Sequence, residues 1–249
     1  PKGEELSKSF LKHAEKFGAE ISAEKVRDIE NYDKPIKTVI TRKKRYETKT
    51  VIFATGASPR KLGVKGEDAF AGLGVSYCAT CDGAFFKGQT TIVCGGGNTA
   101  FEDALYLAGV SSDVYLVHRS EKYRASKTLV DKVKNNPKIT LIPNTVIDEI
   151  KGKSVVDGAV LKNTVTGEIK TVETAAVFVA VGRDAQSELA GKFVNLTHDG
   201  FIQTDREMCT NVRGIFAAGD VRDTPLRQIV TAAADGAVAA VSAIGYING

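Results

Sequence analysis

Cys78-Ala79-Thr80-Cys81-Asp82-Gly83 places two thiols three positions apart, with a carboxyl beside the second. A Cys-x-x-Cys pair lets two sulfurs close a small ring, so a disulfide can be reduced and reformed without moving the fold. Asp82 can deliver the proton that a leaving thiolate requires, although Asp-Gly is also a common turn. The competing uses of the pair are a zinc half-site or two buried thiols. Zinc needs two more ligands, there is no second Cys-x-x-Cys, and His13, His118 and His198 are scattered, so no metal is expected. Cys94 and Cys209 are isolated and read as small buried hydrophobes.

A second chemical feature follows closely. Gly95-x-Gly97-x-x-Ala100, with Asn98 and Thr99 inside it, comes after the apolar run Thr91-Ile92-Val93-Cys94 and opens the helical pattern of Phe101 to Ala108. Glycines in that context let backbone N–H groups and a helix N-terminus meet two phosphates, the alternative being a plain tight turn. About twenty residues later, where an NAD site places an acidic residue on the ribose, the strand from Asp113 to Val117 ends in His118-Arg119-Ser120, with Arg124 one turn on. Cations there suit a 2′-phosphate and favour NADPH over NADH; a surface charge is the alternative.

These residues need elements to position them. With 249 residues, 43% of them hydrophobic, the chain has apolar mass for one large or two smaller cores. Glu4 to Gly18 carries Leu6, Phe10, Leu11, Ala14 and Phe17 at helical spacing, with Gly18 as the stop. Val51-Ile52-Phe53-Ala54-Thr55-Gly56 reads as a buried parallel strand ending in glycine, and Val177 to Gly182 and Gly214 to Asp220 repeat the pattern. Strand, glycine turn, helix and strand around Gly95 make one βαβ unit.

The expected fold class is therefore α/β, with two Rossmann-like, three-layer nucleotide-binding domains. Pro59, the Gly63 to Gly74 stretch and Gly182-Arg183-Asp184 mark the junctions. Residues 60–184 then form a domain inserted into another made of 1–59 and 185–249. The inner fingerprint at Gly95 precedes the strand end at Gly182 by almost ninety residues. By analogy, the outer domain's own fingerprint is expected before residue 1.

Charge assigns no partner: the net +4 comes from 34 basic and 30 acidic residues spread along the chain. The basic run Arg42-Lys43-Lys44-Arg45 reads as a solvated turn, and nucleic-acid binding is not expected. No run approaches the roughly 20 uninterrupted apolar residues of a membrane span, and PKGEELSKSF has no signal-peptide character. A cytoplasmic protein without membrane association is the expectation.

The strings FATGASPRKLGVKGE, CATCDG, GGGNTAFEDALYLA, HRSEKYRA and GIFAAGDVRDTPLRQIVTAAADGAVAA, in this order and with compatible spacing from about Phe53 to Ala240, together resemble the low-molecular-weight, bacterial-type thioredoxin reductases. The resemblance implies an outer FAD domain, an inserted NADPH domain carrying the redox cysteines, a homodimer, and thioredoxin or a similar small dithiol protein as partner. It also implies rotation of the inserted domain on its two-strand hinge, near Arg60 and Arg183. Residue by residue, Cys81 resembles the flavin-proximal sulfur, Cys78 the sulfur that attacks thioredoxin, and Asp82 the acid. Thr55-Gly56 and Gly219-Asp220 match FAD-contacting turns, and Arg227-Gln228-Ile229 matches the turn that presents a helix N-terminus to the flavin. For Asp220 a helix cap, and for Arg227 a surface charge, are the alternatives.

Two departures from the family pattern matter. Ser120 stands where NADPH-dependent relatives have a second consecutive Arg, although Arg119 and Arg124 remain. The N-terminal glycine fingerprint that binds the ADP half of FAD is absent from these residues, so a polypeptide limited to them is expected to bind FAD poorly. Two further functions share the Cys-x-x-Cys and domain plan: the flavoprotein reductase of alkyl hydroperoxide (peroxiredoxin) systems, opposed by the basic strand end, and a ferredoxin-driven relative, opposed by the intact glycine motif. A flavin-free nucleotide-binding fragment is the alternative from a different class.

Overall fold

The computed structural model of the chain describes residues 3–249 and divides it into two units, Pro1–Ala57 with Ala185–Gly249, and Ser58–Asp184. The outer unit opens with α1 (Gly3–Lys16), which has Glu4 and Glu5 in its first turn and His13 and Lys16 in its last, as the helix dipole favours. No residue of α1 is buried. Next come β1 (Val26–Glu30), β2 (Lys37–Thr41) and β3 (Arg45–Thr48), an antiparallel sheet in that order. The basic run forms the β2–β3 turn, where Thr41 Oγ1 accepts from the amides of Lys43 and Lys44 at 3.2 and 2.9 Å. β4 (Val51–Phe53) follows, and β5 (Ala57–Pro59) carries the chain across to the inner unit.

The inner unit runs through β6 (Val75–Ser76), α2 (Ala79–Asp82), β7 (Thr91–Cys94), α3 (Asn98–Ala108), β8 (Val114–Val117), α4 (Lys127–Lys134) and β9 (Ile139–Ile142). It continues through β10 (Thr145–Gly152), β11 (Val156–Asn163), β12 (Ile169–Glu173) and β13 (Ala176–Val179). Five strands form a parallel sheet in the order β6–β13–β7–β8–β9. Alternation along its central strands builds two faces. Val93, Leu116 and Phe178 pack under α3 and α4 against Phe101, Leu107 and Val133. Ile92, Val117 and Val177 face the antiparallel sheet β10–β11–β12 through Ile147, Ile150 and Leu161. The unit therefore has three layers, one of them a β-sheet where a doubly wound fold has helices.

The chain returns through β14 (Arg183–Ala185), which pairs with β5. In the outer unit β15 (Ile215–Ala217) pairs in parallel with β4, and α5 (Ile229–Asn248) closes the chain. Ile29, Phe53, Ile202, Ile215 and Val221 form one small core, and Met208, Phe216, Ala239 and Ala243 form another. Lys37 is fully buried; its Nζ donates to Lys34 O at 3.0 Å, and burial pulls its pKa down. Among the described residues α5 alone is long and apolar enough to cross a membrane, with mean hydropathy 1.5. Within this unit, however, it carries Asp235, which is tied by an ion pair to Arg222.

Candidate active site

β6 ends at Ser76, and the next residues lead directly into the redox pair. Cys78 and Cys81 form a disulfide with Cα atoms 5.3 Å apart. Cys78 caps α2 in an extended conformation, and its Sγ accepts the Cys81 amide at 3.2 Å, so one sulfur of the pair also ends the helix. Cys81 is exposed, Cys78 and Asp82 are half-buried, and the Asp82 amide donates to Cys78 O at 3.2 Å.

Gly83 does not mark the turn that Asp-Gly suggests. Its φ is −57° and the chain continues into a 3-10 turn, Gly83–Phe86. Glycine is required for packing instead: a Cβ there would come within 2.9 Å of both Leu107 and Tyr106 on α3.

Tyr77, immediately before the pair, is held at both ends. Its hydroxyl donates to buried Glu67 at 3.0 Å, and its carbonyl accepts from Arg183 at 3.2 Å. Burial, and then the bond to Glu67, push the phenol up to about 12. Glu67 also accepts from the amides of Leu62 and Gly63 at 2.9 and 2.7 Å. Nothing in the spacing of Glu67, Tyr77 and Arg183 along the chain signals this network.

The glycine motif lies at the C-terminal end of β7, where open parallel sheets bind ligands. A Cβ at Gly95 would strike Ala180 O and Ala100, and one at Gly96 would strike the His118 ring. At Gly97 it would meet nothing within 4 Å, and Gly97 is the N-cap of α3 with no side chain capping the helix. No N-cap side chain occupies the amides of that N-terminus, and the glycine leaves room for a pyrophosphate to approach it. Ala100 is fully buried beneath them, and Asn98 Oδ1 accepts the Ser126 amide at 2.8 Å. Gly96 O accepts from Arg124 and Ala125 at 2.8 and 3.1 Å. The loop carrying Arg124 is thus pinned onto the glycine turn, and Thr99 lies in the first turn of the same helix.

A cavity of about 530 Å³ joins Gly95 and Gly96 to His118, Arg119, Ser120 and Arg124. Lys122 also lines it, as do Arg60 and Lys61. Lys122 sits between the two predicted arginines and was open to sequence reasoning; Arg60 and Lys61 arrive from the crossing strand and were not. The His118 ring lies tilted against Tyr123 with centroids 5.5 Å apart, and its Nε2 lies 3.2 Å from Lys122 O. Burial, ahead of the cations at Arg119 and Arg124, pulls its pKa down and favours the neutral ring.

The other predicted residues fall in the outer unit. Pairing of β4 with β15 sets Thr55-Gly56 and Gly219-Asp220 at the C-terminal ends of adjacent parallel strands. Thr55 Oγ1 donates to Gln186 O at 2.5 Å and Gly56 O accepts the Gln186 amide at 2.9 Å. The Gly219 amide donates to Asp235 Oδ2 at 3.1 Å, and Asp235 accepts from Arg222 Nε at 2.6 Å, both side chains nearly buried. Arg227 lies 4.1 Å over the Phe201 ring and donates to Asp220 O at 3.4 Å. Gln228 is the N-cap of α5 in a capping box with Thr231, leaving Ile229 exposed as the first helical residue. Asp235 and Arg222, thirteen residues apart across the turn, were not signalled by sequence.

Some features lie apart. A cavity of about 1200 Å³ lies in the outer unit among Lys49, Phe216, Val238 and Tyr246, and none of the candidate residues lines it. Cys94 is buried, and burial pushes its thiol up to about 12. Cys209 is only partly buried, against expectation; it lies in a turn whose Glu207 and Cys209 amides both donate to Asp205 Oδ1 at 2.9 Å. Asp205, Glu207 and Cys209 have ligand-capable atoms within 4.8 Å of one another, with both carboxylates exposed.

Comparison with known proteins gives a consistent result. A family model described as pyridine nucleotide-disulphide oxidoreductase matches residues 2–236. The thioredoxin reductase of Peptoclostridium acidaminophilum is 44% identical over 254 residues, which span 99% of this chain and 80% of that protein. The bifunctional thioredoxin reductase/thioredoxin of Mycobacterium leprae is 42% identical over 243 residues, 97% of this chain and 53% of the relative. The crystal structure of thioredoxin reductase from Streptococcus pyogenes matches with a TM-score of 0.92 at 41% identity, covering 99% of this chain and 80% of that one.

Proposed function

This chain belongs to the thioredoxin reductases of the pyridine nucleotide-disulphide oxidoreductase family, and on that premise we propose that it reduces thioredoxin through Cys78 and Cys81, with NADPH and FAD as its cofactors. The observation that carries the reading is the Cys78–Cys81 disulfide at the end of a parallel strand, in the same unit as an open helix N-terminus and a basic cavity. A flavin, when bound, would supply two-electron redox chemistry between a dihydronicotinamide and that disulfide.

The inner unit is the proposed nucleotide domain. Gly97 and the amides of Asn98 and Thr99 receive the pyrophosphate, because no side chain competes for them. Arg119 and Arg124, helped by Lys122, receive the 2′-phosphate in the cavity where Ser120 replaces a cation. The outer unit is the proposed FAD domain. Thr55, Gly56, Gly219 and Asp220, at the ends of adjacent strands, would hold the cofactor, and Arg227, Gln228 and Ile229, at the N-terminus of α5, would supply the partial positive charge that favours an anionic reduced flavin. Cys81 is the sulfur that takes electrons, Cys78 the one that attacks thioredoxin, and Asp82 the acid that protonates the leaving thiolate.

Thioredoxin as partner is supported by the Mycobacterium leprae relative, whose name joins the two activities in one chain. A cytoplasmic homodimer is the proposed working form. The test is anaerobic stopped-flow mixing of the FAD-loaded protein with NADPH and with NADH. NADPH is expected to bleach the flavin at concentrations at least about tenfold below NADH. Cys78→Ser should keep that bleaching and lose thioredoxin reduction by about a thousandfold or more. Thioredoxin reduction persisting in Cys78→Ser would contradict the assigned role.

A further inference from the structure

One buried hydroxyl touches two members of the redox segment at once. Ser76 closes β6 and is 5% exposed. Its Oγ lies 2.6 Å from Asp82 Oδ2, 3.1 Å from the Cys78 amide and 3.3 Å from the Cys78 carbonyl oxygen. A serine hydroxyl carries one proton and two acceptor lone pairs. The Cys78 N–H occupies one lone pair, which leaves the proton a choice between two acceptors.

With Asp82 ionised, the shorter contact takes the proton, as expected for a hydrogen bond to a carboxylate. With Asp82 protonated, the same hydroxyl can rotate toward Cys78 O and accept from the carboxyl O–H on its second lone pair. The switch is a rotation of the hydroxyl, and Ser76 Oγ stays bonded to Asp82 Oδ2 in both states. An acid that must gain and lose a proton in each cycle is held in place by a partner able both to donate to its carboxylate and to accept from its carboxyl O–H.

We propose that Ser76 is a positioning residue for thiol–disulfide exchange, holding the Asp82 carboxyl beside the redox pair in both of its protonation states. The proposal rests on the reading of Asp82 as the acid. In that exchange the Cys78 thiolate attacks the partner's disulfide, forming one S–S bond as the partner's breaks, and the leaving thiolate takes the Asp82 proton. The Cys81 thiolate then attacks Cys78, restores the Cys78–Cys81 disulfide and releases the partner's second thiolate, which solvent protonates. Two electrons pass to the partner, and Asp82, left ionised, is reprotonated from solvent.

The test needs no flavin. The full chain is reduced with dithiothreitol, desalted anaerobically and mixed in excess with oxidised thioredoxin. This chain contains no Trp, so tryptophan fluorescence reports the partner alone. Ser76→Ala is expected to lower the saturating exchange rate about tenfold, a fraction of the effect of losing an acid, with the concentration of the chain at half-saturation unchanged. In an Asp82→Asn background, itself slow, Ser76→Ala should slow exchange no further, because the two act as one unit.

A Ser76→Ala rate within about twofold of the parent, with Asp82→Asn slow, would overturn this proposal and leave the acid standing. Slowing of the same size in the Asp82→Asn background would overturn it too, since the serine would then be acting on the backbone alone. Asp82→Asn exchanging at the parent rate would remove both the acid and the residue said to position it.

Discussion

The two units bury their parallel strands differently. In the inner unit every residue of β7 and β13 is buried, because helices cover one face of the sheet and β10–β11–β12 covers the other. In the outer unit the parallel sheet among the described residues is β4 and β15 alone, and Ile52 of β4 is 39% exposed. Along α5, Ile229, Val230, Val241 and Ile244 face outward, each more than half exposed. Apolar packing positions the inner site. The turns of the outer site are held largely by polar contacts, with Asp235 on the Gly219 amide and Arg227 on Asp220 O. One unit should therefore respond most to lost methylenes, and the other to lost charges.

Phe178→Ala should show the largest effect. Phe178 is 1% exposed, packs edge-on to Phe86 and lies in the core beneath α3. Its removal is expected to cost about 3–5 kcal/mol in denaturant unfolding followed by circular dichroism. Val241→Ala on α5, 71% exposed, is expected to change stability by less than about 0.5 kcal/mol. Equal losses at the two positions would erase the contrast between the units.

Sequence reasoning reached the inner unit's central strands because their apolar runs end in glycine, a pattern that only a buried parallel strand with a ligand turn demands. It did not reach β10–β11–β12. The register there slips between Ile147 and Glu149 and again between Lys151 and Gly152, so the alternation that announces a strand is broken twice. The redox cysteines were legible from type and spacing alone. Glu67 under Tyr77 and Asp235 under Gly219 were not, since a buried carboxylate has no local signature and its partners lie ten and sixteen residues away. Gly83 shows the intermediate case: the residue was singled out, but the reason was side-chain packing on α3 and not a turn.

Asp235→Asn sharpens the outer side of the comparison. It weakens the bond to Arg222 and the acceptor for the Gly219 amide together, at side chains only 13–14% exposed. A loss of about 2 kcal/mol in the outer unit is expected, the scale of a hydrogen bond to a charged partner. On the proposed cofactor assignment, titration with FAD should show weaker binding, while NADPH binding, followed by calorimetry, should be unchanged. Equal weakening of both ligands would argue against the outer turn as the locus of the effect.

A smaller effect than that of Asp235 is the inner unit's own charge penalty. Asp103 on α3 has its pKa raised from 3.8 to about 6, first by burial and then by neighbouring Glu102, with Arg183 opposing. Below about pH 4 the carboxyl is protonated whether the chain is folded or not, and there is no penalty. Between the two values the folded state keeps a proton that the unfolded state has lost, so stability falls as pH rises through about 6 and then levels. Two pKa units, discounted for partial exposure, correspond to about 1–2 kcal/mol. Asp103→Asn should recover about 1 kcal/mol at pH 7, nothing at pH 3.5, and flatten the profile between them. The shift belongs to the inner unit, so a recovery that appeared only in the outer unit's transition would place the carboxyl's burden in the wrong half of the molecule.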